Sequence, residues 1–296
     1  MTNRPSGHKP GVDGPAFPGY SSGYGRNNRG WVVPGIWRIS DHGQDNIYLV
    51  LGSKAALLID TGWGVGNLAA FVAGITRLPL LVANTHGHVD HALGNDQFDR
   101  VYIAEADARE LEPQGVAGKR AYIRDNLLLT EVQEPPTFRL WGTGARRQTL
   151  DLRDGQEIDL GDRTITALLI PGHTRGSACF LDGSSRVLFA GDSFVPLAAW
   201  GPMWLHLRES QPLSLYYEGM TGVLAAGGFE HLLSSHGERG LIPARALDTL
   251  LRGVRDLLDG KASGIPEHTF AGDGLRADFQ EAGIVYAPAK LGSSGA

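Results

Sequence analysis

The stretch Thr85-His86-Gly87-His88-Val89-Asp90-His91 places three imidazoles and one carboxylate within six residues. These are the side chains that hold zinc or a similar first-row divalent ion. His86 and His88, two residues apart, suit two ligands of one ion from a single turn. Asp90 and His91 point elsewhere and could serve a second ion. Three later segments each offer one more ligand type beside a glycine that admits a tight turn: Pro171-Gly172-His173-Thr174, Ala190-Gly191-Asp192-Ser193 and Ser234-Ser235-His236-Gly237.

Something must carry these residues to one place. Leu78 to Ala83 is an apolar run with the length of a buried strand, and Ala92 to Phe98 begins a helix, so the histidine cluster sits on a strand-to-helix turn. Thr164 to Ile170, Val187 to Phe189 and His231 to Leu233 are short apolar strands ending at His173, Asp192 and His236. Ile36 to Ile39, Asn46 to Leu51 and Ala55 to Ile59 form an antiparallel start to a sheet, and the third of them runs into Asp60-Thr61-Gly62. Val101 to Ile103, Gln148 to Leu152 and Glu157 to Leu160 add strands; Glu105 to Leu111 and Arg120 to Leu128 add helices. Strand-rich halves, each followed by helices, mark an α+β protein and suit two sheets face to face with helices outside, though periodicity alone does not choose this over other mixed folds.

The His-x-His-x-Asp-His motif, with its partners in order between Ile36 and Gly237, resembles the metallo-β-lactamase-fold hydrolases, the superfamily of glyoxalase II, lactonases and ribonuclease Z. The resemblance implies an αβ/βα sandwich of two mixed sheets. It also implies a dinuclear centre, with His86, His88 and His173 on one ion, Asp90, His91 and His236 on the other, and Asp192 bridging both. Two Zn²⁺ are the expected cofactors, with Fe or Mn as alternatives. A hydroxide shared by two such ions attacks a carbonyl or phosphoryl centre; Asp90 is expected to orient it and accept its proton. Asp60 could cap the following helix, but the resemblance makes it an acid behind a ligating imidazole.

The resemblance narrows the reaction to cleavage of an ester, thioester, lactone or amide. The alternatives are a mono-iron sulfur dioxygenase of the same fold, and phosphodiesterase or weak β-lactamase activity. Asp192 stands where lactam-hydrolysing members of one class carry cysteine, and His88 where the flavin-partnered di-iron oxidoreductases carry Glu. Phe194 to Arg208, broken by Pro196, Gly201 and Pro202, is too apolar to lie in water. Trp200, Met203 and Trp204 are expected to wall a substrate pocket, with His206 in reach of a substrate oxygen, Trp63 at its mouth, and Trp141 on a flap over Glu131 to Arg147.

Composition sets the outer limits. The 296 residues are 42% hydrophobic and 20% charged, which is a globular balance. A net charge of −5 argues against a broad nucleic-acid-binding face and for a small-molecule substrate. No apolar run approaches the ~20 residues of a membrane span, and no secretory signal is visible, so neither a membrane partner nor export is expected and the cytoplasm is the default address. Cys179 is the single cysteine, expected to be a buried and inert thiol. Residues 1–30, rich in Gly, Pro, Ser and Asn, form a flexible arm; 31–290 are expected to make one domain and 291–296 a loose tail. A homo-oligomer is left open.

Overall fold

A computed structural model of the chain describes residues 20–22, 31–41, 43–109, 148–237, 240–269 and 271–292; for 20–22, 199 and 200 it describes the backbone alone. The segment Glu131 to Arg147 with Trp141, the helix expected over Arg120 to Leu128, the ring of Trp200, and most of 1–30 and 291–296 therefore lie outside the described residues.

The two expected sheets are present. The first contains β1 (Tyr20–Ser22), β2 (Trp31–Val33), β3 (Ile36–Asp41), β4 (Asp45–Leu51), β5 (Ala56–Ile59), β6 (Leu80–Ala83), β7 (Arg100–Ile103) and β8 (Gln148–Asp151). It starts antiparallel and turns parallel from β5 onward. The second runs β15-β14-β12-β11-β10-β9, from β9 (Glu157–Asp159), β10 (Thr164–Leu169), β11 (Ala178–Asp182), β12 (Val187–Gly191), β14 (His231–Ser234) and β15 (Ile242–Pro243). In this sheet β12 and β14 pair in parallel, and the other neighbours pair antiparallel.

Residue alternation explains the layering, because successive strand side chains face opposite sides. Tyr48 and Val50 of β4, Leu57 and Ile59 of β5, Phe180 of β11, and Val187 and Phe189 of β12 meet in one inner core between the sheets. Their neighbours Ile47, Leu49, Ala56 and Leu58 turn outward and pack against Leu68, Phe71 and Val72 of the helix Leu68–Ile75. On the other outer face, Cys179, Leu188, Ala190 and Leu232 pack with the helices Leu213–Ala226 and Arg245–Leu258. Across the inner core, the Tyr48 ring packs tilted against Phe189 with centroids 5.3 Å apart, and its hydroxyl donates to the carbonyl of Ser234 at 2.7 Å.

A third sheet was not expected. It runs β13-β18-β17-β16, with β13 (Met203–Leu205), β16 (Ile265–Thr269), β17 (Gly272–Phe279) and β18 (Ala282–Tyr286). The segment Phe194 to Arg208 thus supplies a four-residue helix, Leu197–Trp200, and a strand that lies parallel to β18. The cluster turn also differs from the sequence expectation: Val89–Ala92 is one α-helical turn, continued by a 3-10 helix over Leu93–Gln97. Among the described residues no helix is long and apolar enough to cross a membrane.

Candidate metal centre

The strands place the cluster through their directions. β5 and β6 run parallel, so Asp60 and the Thr85–His91 turn leave the first sheet at the same edge. β12 and β14 run parallel in the second sheet and bring Asp192 and His236 out together. The sheets approach closely here. A Cβ on Gly191 would lie 2.8 Å from the Cβ of Thr85, and Gly191 also has φ +54, so two constraints require glycine.

His86, His88 and His173 form one group of converging side chains; His86, His91 and Asp192 form another; Asp90, His91 and His236 meet with Asp45 in a third. In the first group the Nδ1 atom of His88 lies 3.0 Å from Nε2 of His86 and 2.9 Å from Nε2 of His173. The other nitrogen of each ring has an acceptor. His173 Nδ1 donates to the carbonyl of Trp204 at 2.7 Å, and His88 Nε2 donates to Glu209 Oε1 at 2.7 Å. His86 Nδ1 is 3.0 Å from the Thr85 hydroxyl, whose own proton goes to Asp60 Oδ2 at 2.9 Å, so the ring donates. With those protons placed, three lone pairs face one another, which is an arrangement that could hold a cation.

The second side of the site mixes acids and imidazoles. His91 Nδ1 donates to Asp60 Oδ2 at 3.1 Å, while its Nε2 faces Asp90 Oδ2 at 3.5 Å and Asp192 Oδ1 at 3.7 Å. His236 Nε2 lies 3.1 Å from Asp192 Oδ2 and 3.9 Å from Asp90 Oδ2. The Nε2 atom of His91 and Oδ1 of Asp192 are both buried and make no hydrogen bond among the described residues. Buried polar atoms are rarely left so, and their chemistry fits a divalent ion.

Electrostatics separate the two sides. Burial, with His91 and His88 alongside, pushes the His86 imidazole well below its ordinary range. Burial and the His88 ring push His173 down to about 4. Burial works against charge on His91 and His236 too, but Asp90 and Asp192 around the first, and Asp192 and Asp45 around the second, raise both well above the ordinary range. Asp90 and Asp192 are held low despite burial: His91 and His236 together outweigh the desolvation of each.

Asp60 ties the two sides together. It accepts from the Thr85 amide at 2.7 Å, the Thr85 hydroxyl, His91 Nδ1, and the Ser235 hydroxyl at 3.3 Å. Its φ of 66 is a left-handed conformation that aspartate tolerates better than most residues.

Four supporting acids were not anticipated. β4 is antiparallel to β5, so its first residue, Asp45, reaches the edge where β5 ends, and its Oδ1 lies 3.1 Å from His236 Nδ1. Burial raises this carboxyl to about 6, against the pull of the adjacent His236 ring, whose Nδ1 also lies 3.1 Å from the carbonyl of Gln44. Asp41, at the end of β3, accepts from the Trp63 amide at 2.7 Å. Asp107 accepts from Gly87 N at 2.9 Å, Thr174 Oγ1 at 2.6 Å and Gly176 N at 2.7 Å, joining the two histidine turns. Glu209 is the acceptor of His88, and that ring holds its carboxyl down to about 2. Asp45 carried a usable signal, since it stands at a strand end like the other acids; Glu209 carried none.

Among the described residues, the expected pocket residues are dispersed. Trp63 is buried, and its indole N–H donates to Asp45 Oδ2 rather than bordering an opening. Met203 sits in the core beside the helix Leu213–Ala226. Trp204 is half-buried on the opposite face of β13, with His206 beside it. His206 Nε2 is engaged with the Thr269 hydroxyl at 2.7 Å, not free for a substrate oxygen. A cavity of about 570 Å³ bordered by Glu267, His268, Asp273 and Pro288 lies on the third sheet and contains none of the clustered residues. Cys179 is buried, and burial pushes its thiol up to about 12.

Comparison with known proteins gives the same picture. The acyl-coenzyme A thioesterase MBLAC2 of Homo sapiens is 36% identical over 159 residues, covering 50% of this chain and 57% of that protein. A probable polyketide biosynthesis zinc-dependent hydrolase, PksB, of Bacillus subtilis is 26% identical over 141 residues, covering 48% of this chain and 50% of that one. The chain thus spans little more than half the length of these relatives. The crystal structure of a metallo-β-lactamase family protein from Thermus thermophilus superposes with a TM-score of 0.51 at 21% identity, over 78% of this chain and 82% of that one, and has the same fold. The model of the metallo-β-lactamase superfamily matches residues 40–200, more than half of the chain, and the protein belongs to that superfamily.

Proposed function

We propose that this protein is a dinuclear metal-dependent hydrolase whose substrate is a thioester with a partly apolar acyl group. The observation that carries the proposal is the pair of facing donor sets, with the lone pairs of His86, His88 and His173 on one side and, on the other, His91 Nε2 and Asp192 Oδ1, buried without a hydrogen bond among the described residues. One ion would be held by His86, His88 and His173, the second by Asp90, His91 and His236, with Asp192 between them. Zinc is the favoured metal, in line with the zinc-dependent relative of Bacillus subtilis. When bound, two such ions supply Lewis acidity and bring a water's pKa down towards ~7.

The chain's own groups do the rest. Asp90 keeps about a fifth of its side chain exposed (21%) at the side of the site where His88 also opens to solvent (25%), so it can align an incoming water and take its proton. Its carboxyl stays ionised because His91 and His236 overcome its burial. Asp60 holds His91 directly and His86 through Thr85, fixing two rings with one carboxylate. A single domain over 31–290 belongs to the same proposal, supported by the third sheet's contact with the first histidine group through Trp204.

The thioester reading follows the acyl-coenzyme A thioesterase relative. Its test is a panel of acyl-coenzyme A thioesters of graded chain length, simple lactones, phosphodiesters and β-lactams, each given to the metal-loaded protein. The proposal expects kcat/KM for the best thioester to exceed every other class by at least about tenfold, about 1.4 kcal/mol. Preference for a lactone or phosphodiester would move the substrate class. Oxygen uptake with one iron per chain would replace hydrolysis altogether.

A further inference from the structure

The turn Leu207 to Ser210 contacts two members of the first histidine group, the part-exposed His88 and the buried His173. Glu209 receives the proton of His88 Nε2 at 2.7 Å. Ser210 Oγ donates to the carbonyl of His173 at 2.9 Å, and Gln211 N donates to the carbonyl of Gly172 at 2.8 Å. The turn is irregular, closed by the Ser210 amide on the Leu207 carbonyl at 3.1 Å, and its carbonyls crowd together. Carbonyl oxygens gathered on one side repel one another unless donors meet them.

A lysine meets them. Lys290 Nζ lies 2.6 Å from the carbonyl of Leu207, 3.1 Å from that of Arg208 and 2.6 Å from that of Ser210. An ammonium has three protons and no acceptor, so this triad uses it completely. The remaining carbonyl of the turn, Glu209, takes the side-chain amide of Gln211 at 2.8 Å. Lys290 closes the 3-10 helix Pro288–Lys290 just after β18, far beyond the stretch that matches the superfamily, residues 40–200. Leu291 O also accepts from Ser214 N at 3.2 Å, so the C-terminal segment and the start of the helix Leu213–Ala226 hold the turn from both ends.

We propose that Lys290 is a positioning residue for the metal centre: its ammonium fixes the Leu207–Ser210 turn so that Glu209 holds the His88 ring with Nδ1 directed at the ion. This rests on the metal reading above. Lys290 acts through Glu209, never on the ion or the substrate. Charge-assisted hydrogen bonds to three carbonyls give it a geometric precision that a longer, planar arginine could not reproduce.

The test is titration of the full, metal-free chain with Co²⁺, read by visible absorption and by competition with a chromophoric chelator. His88→Ala marks which band belongs to the ion on His86, His88 and His173. Lys290→Met should weaken that ion by about tenfold and leave the other unchanged, the low end of what loss of a supporting partner costs. Glu209→Gln should do the same. The double variant should be no weaker than Glu209→Gln alone, because both act on one contact. Lys290→Ala should regain affinity when ethylammonium is added, a rescue that a general packing defect would not show. If Lys290→Met does not fold, Lys290→Gln, with two donors, serves in its place and should lose less than tenfold. A lower melting temperature with both affinities at wild-type values would overturn the proposal, as would additive losses in the double variant. A wild-type chain that binds no Co²⁺ would overturn the metal reading and this inference with it; normal wild-type binding with an unaffected lysine variant overturns only the inference.

Discussion

The two sides of the proposed metal centre solve one problem by opposite means. His86, His88 and His173 present three imidazoles whose outer nitrogens are each satisfied by a different kind of acceptor: a hydroxyl, a carboxylate and a backbone carbonyl. Burial keeps the His86 and His173 rings neutral, so that side stands ready with lone pairs exposed. Asp90, His91 and His236 with Asp192 instead form a compact set of ion pairs, in which acids hold the imidazoles protonated and the imidazoles hold the acids ionised. A preformed neutral site binds an ion without displacing protons. A charge-compensated site is stable while empty and must give up protons to be filled. The difference predicts unequal filling of two positions that a ligand count alone would treat as equivalent.

Asp192 touches both sides, lying 3.1 Å from His236, 3.5 Å from His173 and 3.7 Å from His91, so its removal should have the largest effect. Asp192→Asn is expected to lower the occupancy of both ions and to reduce turnover by about a thousandfold, about 4 kcal/mol of barrier. Elemental analysis beside steady-state kinetics checks this. Wild-type metal content and activity in that variant would remove Asp192 from between the ions.

Acidity should separate the sides next. His91 and His236 have raised pKa values, so in the metal-free chain they carry protons at neutral pH, and falling pH strengthens proton competition there. His173 is lowered to about 4 and His86 is lowered as well, so these two rings offer no comparable competition until the solution is far more acidic. Between about pH 7 and pH 5 one ion should weaken by up to about tenfold per unit for each proton displaced, while the other holds. Chelator competition at several pH values reads both affinities. Parallel weakening of the two would contradict the division drawn here.

Single supporting acids should sharpen the contrast further. Asp45→Asn removes a carboxylate 3.1 Å from His236 Nδ1, and should weaken only the ion on that side by about 10- to 100-fold. Glu209→Gln should weaken only the ion on the other side, by a similar factor. A crossed result, with either substitution affecting the opposite ion, would show that the sides are not separable.

How much of this could be read from the chain depends on locality. His86, His88, His91, His173, Asp192 and His236 each follow an apolar strand beside a turn, so sequence spacing alone marks them, and the sheets that carry them follow from the same runs. Asp107 lies inside an ordinary helical stretch, and Glu209 stands between an arginine and a serine as an exposed residue would. Their roles exist only because distant segments fold onto them, and periodicity carries no record of that. β13 was hidden for a related reason. It has three residues after Pro202, and its pairing partner β18 comes about eighty residues later, with Met203 opposite Ile284. The pocket expectation drew on the apolar character of the same segment, which the core explains in part: Met203 and Leu205 point inward there.

Trp204 gives the smallest expected effect and a clean check on which part of a residue serves the centre. Its carbonyl, not its ring, receives the His173 proton. Trp204→Ala should therefore leave both metal affinities unchanged while lowering kcat/KM for long acyl groups by about 5- to 10-fold, about 1 kcal/mol, and for short ones hardly at all. Equal losses on long and short substrates with a lowered melting temperature would place the ring in packing alone.

The central claim is that two inequivalent ions share one site, and calorimetric titration of the metal-free chain with zinc at pH 7 tests it most directly. The account predicts two equivalents, the tighter one on His86, His88 and His173 with little proton release, and the weaker one on Asp90, His91 and His236 with protons released to the buffer. A single equivalent, or two with the same affinity and the same proton release, would contradict it.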